Sequence, residues 1–527
     1  MTWTGTGLLL RHGLRRDRAL VGGWLVVLLG VCYASASATA SLYPTVREQV
    51  SAAETINASP AIVALYGPIL DVHNVGELAM TKMTVLYAVF VAIMFLVVVR
   101  RHTRTDEESG RAELLGGTAI GRNAPMAASV LEGAGIALAL GLLAAVVDVV
   151  GGLPVRGSLF FGASWFGIGL VATGLTAVAC QLSASARTCA AITGGALGVL
   201  FLVRAVGDTS IGWLSWLSPF GWSTQLRAWS DTRWWVLLLY PVAAGLLVAL
   251  AQTLRAHRDL GSGLVAVRPG PATGSPRLTD AISLSVRVHG PMIAAWTGAV
   301  AVLGLVLGAI APNIGDLLDS PAARRMMERV GGVGALQDTL LTAELSISAV
   351  VITCFAIAVV GHTGADEQDG RTEQVLATAT SRSRAFLATL LVAGVGGSWL
   401  LLVTGVATSL GFGASGGAIG DSFGRILAAA LVQAPAVWLV TALAVASFAL
   451  RSGWTFLGWA LLVLFLMLGQ VGELLKLPGW VIGLSPYGHV PKMPVESFAL
   501  APTLVLSGIA AALCLGAWGR YRTRDIG

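Results

Sequence analysis

Long apolar runs separated by short polar stretches dominate the chain, without the two-residue alternation of a half-buried strand or the narrow apolar stripe of a surface helix. About 20 apolar residues make a helix that crosses the ~30 Å hydrocarbon layer of a bilayer. Such runs fall near 19–42, 79–100, 126–150, 158–182, 186–206, 232–254, 290–312, 338–360, 386–411, 425–449, 454–472 and 498–519, which predicts twelve transmembrane helices. The Gly-rich run Gly411 to Gly420 reads as a loop or as part of a longer helix. The predicted fold class is an all-α polytopic membrane protein.

The polar stretches repeat in order. After the second predicted span the chain reads RHTRTDEESGRAELLGGTAIGR, and after the eighth GHTGADEQDGRTEQVLATATSR. At an offset of 260, ten of the 21 positions from 102 to 122 are identical: His102, Thr103, Asp106, Glu107, Gly110, Arg111, Glu113, Thr118, Ala119 and Arg122. LSPFG (Leu217 to Gly221) recurs as LSPYG (Leu484 to Gly488) at an offset of 267, and RDLG (Arg258 to Gly261) as RDIG (Arg524 to Gly527) at 266. Three anchors in one order predict a duplicated six-helix unit, 1–260 and 280–527, joined by a Gly-, Pro- and Ser-rich linker at 261–279. Because six is even, the two copies share one orientation, a parallel repeat about the membrane normal.

Composition excludes a soluble single-core enzyme and a disordered chain. Of 527 residues only 12% are charged and 55% are hydrophobic, with a mean hydropathy of +0.77. The net charge of +6 could suggest nucleic acid, but about 22 of the 34 basic residues lie on one set of alternate loops and at the two ends. That distribution is topological: it predicts that those loops and both termini are cytoplasmic, and no nucleic-acid partner. Only three of the basic residues are lysine, Lys82, Lys476 and Lys492, as in a GC-rich bacterial genome, so the expected location is a bacterial plasma membrane. Arginines followed by Leu20 to Cys32 and the small residues Ala34 to Ala40 imitate a cleavable signal, but eleven further spans predict an uncleaved first helix.

The candidate chemistry is sparse. Five cysteines lie inside apolar runs without CxxC spacing, and seven histidines are scattered, so neither disulfides nor a metal site is expected. None of the three lysines follows a glycine, so the phosphate-binding loop of a P-loop ATPase is missing and the chain is not expected to be an enzyme. Glu132, Asp148, Arg204 and Glu344 are ionisable residues near span ends, where function competes with snorkelling, which suffices for Asp148 and Arg204.

The strongest signal is the repeated charged segment, because a solvated loop needs polarity but no fixed order of residues. Acidic residues early, arginine mid-segment and Leu114 with Leu115, or Val375 with Leu376, on one side suit a short amphipathic helix that docks a cytosolic partner. The stretch Glu107 to Arg122, E-x-x-G-R-x-E-L-L with a closing arginine, resembles the segment between the second and third helices of ABC-2-type permeases. The duplicated layout with RDLG and RDIG tails resembles actinobacterial exporters of tetronasin and other polyketide antibiotics. The resemblance implies the permease subunit of an exporter of hydrophobic compounds, with ATP and Mg bound by two copies of a separate cytosolic ATPase. It implies coupling roles for Asp106, Glu107, Gly110, Arg111, Glu113 and Arg122, and for Asp366, Glu367, Gly370, Arg371, Glu373 and Arg382. Gln374 stands where the first copy has Leu114.

By the same resemblance, Leu8 to Arg18 and Leu278 to His289 are interfacial elbow helices or ordinary basic flanks, and SPFG and SPYG belong to an outer re-entrant hairpin or a plain turn. Outer segments 43–78 and 313–337 are longer than compact members of the superfamily carry. Trp24, Phe95, Phe201, Trp296, Phe355 and Phe465 are candidates for an apolar substrate path, with packing as the competing reading. A twelve-helix secondary transporter shares the parallel halves, but calls for ionisable residues at midplane, where the spans have almost none.

Overall fold

The computed structural model describes residues 3–43, 45–58, 60–265, 273–276, 278–314, 333–471 and 478–526, and among these the regular elements are helices. Eleven helices among the described residues are long and apolar enough to cross a membrane, as befits a multi-pass membrane protein. The chain forms two compact units, Met1–Gly270 and Pro271–Gly527.

The first unit opens with α1 (Thr6–Leu42), then the short α2 (Val46–Ala58) and α3 (Pro60–Tyr66), and α4 (Val75–His102). The small α5 (Arg104–Glu108) and α6 (Arg111–Gly116) precede α7 (Ala124–Val150), α8 (Val155–Leu182), α9 (Ala186–Thr209), α10 (Pro219–Gln225) and α11 (Leu239–Ala256). The second unit contains α12 (Ala281–Ile310), α13 (Val333–Gln368), the short α14 (Arg371–Leu376) and α15 (Arg382–Ala414). It continues with α16 (Ile419–Leu431), α17 (Ala434–Leu450), α18 (Phe456–Val471), α19 (Gly479–Ile482) and α20 (Leu500–Thr523).

Several expectations change. Neither elbow segment is a separate helix: Leu8 to Arg18 is the first part of the 37-residue α1, and Ala281 to His289 runs on into α12. No residue there ends a helix, and Asp280 starts α12 with a capping box in which the Ser283 N–H holds its carboxyl below the usual range. At 1.5 Å per residue α1 is ~55 Å long, well beyond the hydrocarbon thickness. The predicted span at 454–472 is the 16-residue α18, ~24 Å long, and 472–477 lie outside the described residues. The predicted span at 425–449 is present as Ser422–Leu450, with a short turn at 432–433 between α16 and α17, where Pro435 supplies no N–H for a continuous helix. The Gly-rich run divides: α15 extends through Gly411 and Gly413, and Gly416 turns the chain at φ 94.

The two turn anchors differ. Ser218 caps α10 by accepting from the Phe220 N–H, whereas Pro486–His489 is a single 3-10 turn. Outer segment 43–78 holds α2 and α3, while most of 313–337 lies outside the described residues. The linker is not free from its start, since Leu264 and Val265 donate to the carbonyls of Gln181 and Leu182 at the end of α8. Residues 266–272 and 277 lie outside the described residues.

Each unit packs around one buried phenylalanine from the helix that carries the charged segment. Phe95 sits against Gly169 of α8 and Phe355 against Gly396 of α15, and at either glycine a Cβ would lie 2.7 Å from the ring. Both rings are fully buried in the core of their own unit. Trp296 meets Phe355 edge-on at 5.9 Å, and Phe465 belongs to the same core. Trp24 is half-buried on the first core, and Phe201 lies edge-on to Phe220 at 6.3 Å.

Asp148 and Arg204 do not snorkel: both are fully buried. Arg204 pairs with Asp208 at 3.2 Å and donates to the carbonyls of Val63 and Ala64, tying α9 to the end of α3. A side chain that reaches carbonyls inside the protein has no need of the interface.

Candidate coupling site

The repeated segment is built around one glycine. Thr103 ends α4, α5 carries Asp106 and Glu107, and Gly110 at φ 72 turns the chain into α6. In the second unit α13 runs unbroken to Gln368, and Gly370 at φ 73 makes the same turn into α14. A Cβ on either glycine would meet nothing within 4 Å. The left-handed backbone, and not crowding, therefore requires glycine at both places.

The turn splits the motif into an inner and an outer part. On the inner side, Arg258 of the RDLG tail grips Glu107 with two parallel hydrogen bonds, Nη2 to Oε1 at 2.7 Å and Nη1 to Oε2 at 2.9 Å. Arg104 joins at 2.5 Å from Nη1 to Oε2 and donates to the carbonyls of Ala184 and Ser262, each at 2.8 Å. The second unit repeats the clamp: Arg524 of the RDIG tail reaches both oxygens of Glu367 at 2.6 Å and stacks over Phe448 and Tyr521. Gly364 stands where the first unit has Arg104, so among the described residues this carboxylate is held by a single guanidinium. Arg382 extends the tail contact by donating to the Arg524 carbonyl at 2.7 Å, whereas in the first unit the Arg122 carbonyl accepts from Arg255.

Two of the three repeated motifs thus meet in each unit, which gives a physical reason for their recurrence together. Sequence reasoning singled out the tails as anchors without assigning Arg258 or Arg524 a role, and it missed Arg104. The signal was present: both tails fall a nearly constant distance after the charged segment.

The outer part faces away. Glu113, Leu114, Glu373 and Gln374 are exposed, and Leu114 keeps 77% of its surface open. Asp106 is held by Arg16 at 3.0 Å and approached by Arg111 at 3.4 Å. In the second unit Arg371 bonds Asp366 and Asp369, each at 2.7 Å, and the Asp366 contact raises its pKa. Beside the first segment lies a cavity of about 1040 Å³, walled by apolar residues such as Leu9, Leu115 and Met126 and by Arg16, Arg111 and Arg258.

Comparison with known proteins fits this architecture. The chain is 38% identical to the multidrug efflux system permease protein Rv1217c of Mycobacterium tuberculosis (strain ATCC 25618 / H37Rv), over 99% of this chain and 96% of that protein. Residues 278–522, close to the whole second unit, match the family described as multidrug efflux system permease Rv1217c, C-terminal domain. Similarity along the full length, on a chain of long apolar helices, makes the protein a member of the multidrug efflux system permease family.

Proposed function

We propose that the protein is the permease subunit of an ATP-driven exporter of hydrophobic compounds, of the ABC-2 type and akin to the exporters of tetronasin and other polyketide antibiotics. It works in a bacterial plasma membrane with both termini in the cytoplasm. Two copies of a separate ATPase bind ATP and Mg and dock on α6 and α14. One observation carries the reading: in each unit a buried Glu–Arg clamp fixes the base of a short helix whose far face is exposed. A foot held rigidly at its base can transmit a push from a partner to the transmembrane helices. The clamped glutamates position the foot, Glu113 and Glu373 are left to meet the ATPase, and Arg111 and Arg371 beside them are engaged by Asp106 and by Asp366 and Asp369.

The two feet are unequal. Residues 101–122 carry four arginines against four acidic residues, whereas 361–382 carry two against four, for formal charges of 0 and −2. Removing one carboxylate contact at an interface costs about 2 kcal/mol, so a complex held by two feet survives the loss of one. Glu113→Ala and Glu373→Ala should each leave a complex that assembles with its ATPase but transports less per ATP hydrolysed, to different degrees. The double variant should fail to co-purify with the ATPase. Wild-type coupling in all three variants would make these carboxylates mere solvated charges.

Buried carboxylates favour an ion-coupled secondary transporter as the alternative: Glu132, Asp148 and Glu344 lie inside the helices with unpartnered oxygens. At the repeat offset of 260 their counterparts are Val392, Thr408 and Thr84, so the two units do not share such a pathway.

A further inference from the structure

Three helices of the first unit bring together residues that sequence spacing keeps far apart. Asp17 lies on α1, His102 is the last residue of α4, and Glu132 lies on α7. His102 Nε2 is 2.8 Å from Asp17 Oδ2 and 3.6 Å from Glu132 Oε2, and the three ligating atoms all lie within 4.8 Å of one another. Asp17 and Glu132 are 0% and 2% exposed.

We propose that this cluster is a binding site for one divalent cation of borderline softness, of the Zn²⁺ or Co²⁺ kind. The donor set is one imidazole and two carboxylates, which suits such ions better than Mg²⁺ or Ca²⁺. Ligands ~2.0–2.1 Å from a tetrahedral metal stand ~3.3 Å apart, between the two observed separations. Among the described residues, the two carboxylates removed from water face only one arginine within ion-pair distance, Arg101, 3.3 Å from Asp17 Oδ1. Burying charge without compensation costs several kcal/mol per ion, and a divalent cation supplies the compensation.

Independent observations point to a ligand. Among the described residues, Glu132 Oε1 is buried without a hydrogen-bond partner, and so is Ser129 Oγ one turn earlier on α7. Gly13 of α1 leaves the space that Glu132 fills, since a Cβ there would overlap Glu132 Oε2. His102, Ser129 and Glu132 all line the 1040 Å³ cavity, which gives an ion a way in.

The second unit keeps the histidine as His362 but has neither carboxylate. Glu132 corresponds to Val392, and with Trp24 aligned on Trp296 the counterpart of Asp17 is His289. His289 and His362 pack ring to ring with centroids 4.9 Å apart. One site per chain is therefore expected, in a protein otherwise duplicated, and it links α1 and α7 to the base of the first foot.

The test uses the full chain in detergent, purified on a tag without histidine, stripped with a chelator and dialysed against Zn²⁺ or Co²⁺. About one ion per chain should be retained by wild type and by His362→Ala, and lost from His102→Ala and Glu132→Gln. Added metal should raise the unfolding midpoint of wild type and leave that of the near-isosteric Glu132→Gln unmoved, which separates binding from misfolding. Equal metal content in wild type and both cluster variants overturns the proposal. So does a wild-type midpoint that responds to pH and to neither metal, because the cluster then holds a proton.

Discussion

Replacing Glu107 by alanine should cost the first unit about 3–5 kcal/mol, the range for removing one partner of a buried ion pair. The loss leaves two guanidiniums without their carboxylate, Arg104 with a side chain 0% exposed and Arg258 at 4%. Glu367→Ala orphans only Arg524, which keeps its ring contacts with Phe448 and Tyr521 and its bond to the Phe448 carbonyl. The first substitution should therefore be the more damaging. Pairing Glu367→Gln with Arg524→Gln should recover part of the single-variant loss, because neither side then carries an uncompensated charge. Thermal unfolding of the purified variants gives the comparison; equal, small shifts for both glutamates would mean that the clamps are solvated and that the feet have no rigid base.

Phe95→Ala and Phe355→Ala should each destabilise their own unit by about 3–5 kcal/mol, through lost burial and a cavity that the surrounding helices cannot close. Gly169 and Gly396 leave space shaped to these rings, and alanine would leave that space empty. Below the lowered unfolding temperature, the concentration of hydrophobic drug that half-stimulates ATP hydrolysis by the proposed complex should be unchanged. Intact stability with a blunted drug response would instead return both rings to the substrate path.

The parts of this architecture set by local sequence were legible before any coordinates. Runs of Ala, Val and Leu near 20 residues long located eleven of twelve spans, because crossing a bilayer imposes a length that composition reveals. The turn glycines Gly110 and Gly370 were legible because the same residues recur at one offset. Details set by a single residue were less so. The short turn just before Pro435 lies inside one predicted span, and nothing in Leu8 to Arg18 marked it as continuous with α1. The clamps and the His102 cluster are tertiary: Glu107 and Arg258 are 151 residues apart, and Asp17 and His102 85 apart. A repeat shows that two motifs travel together, but only packing shows that they touch.

The central claim is that ATP hydrolysis on a separate subunit drives this permease. Its most direct test is export of a fluorescent hydrophobic drug from proteoliposomes containing the chain, with and without its partner ATPase, under either ATP or an imposed proton gradient. The account predicts transport only with ATP and the ATPase, in complexes of two ATPase copies per chain. Transport by the chain alone, driven by the gradient, would contradict it.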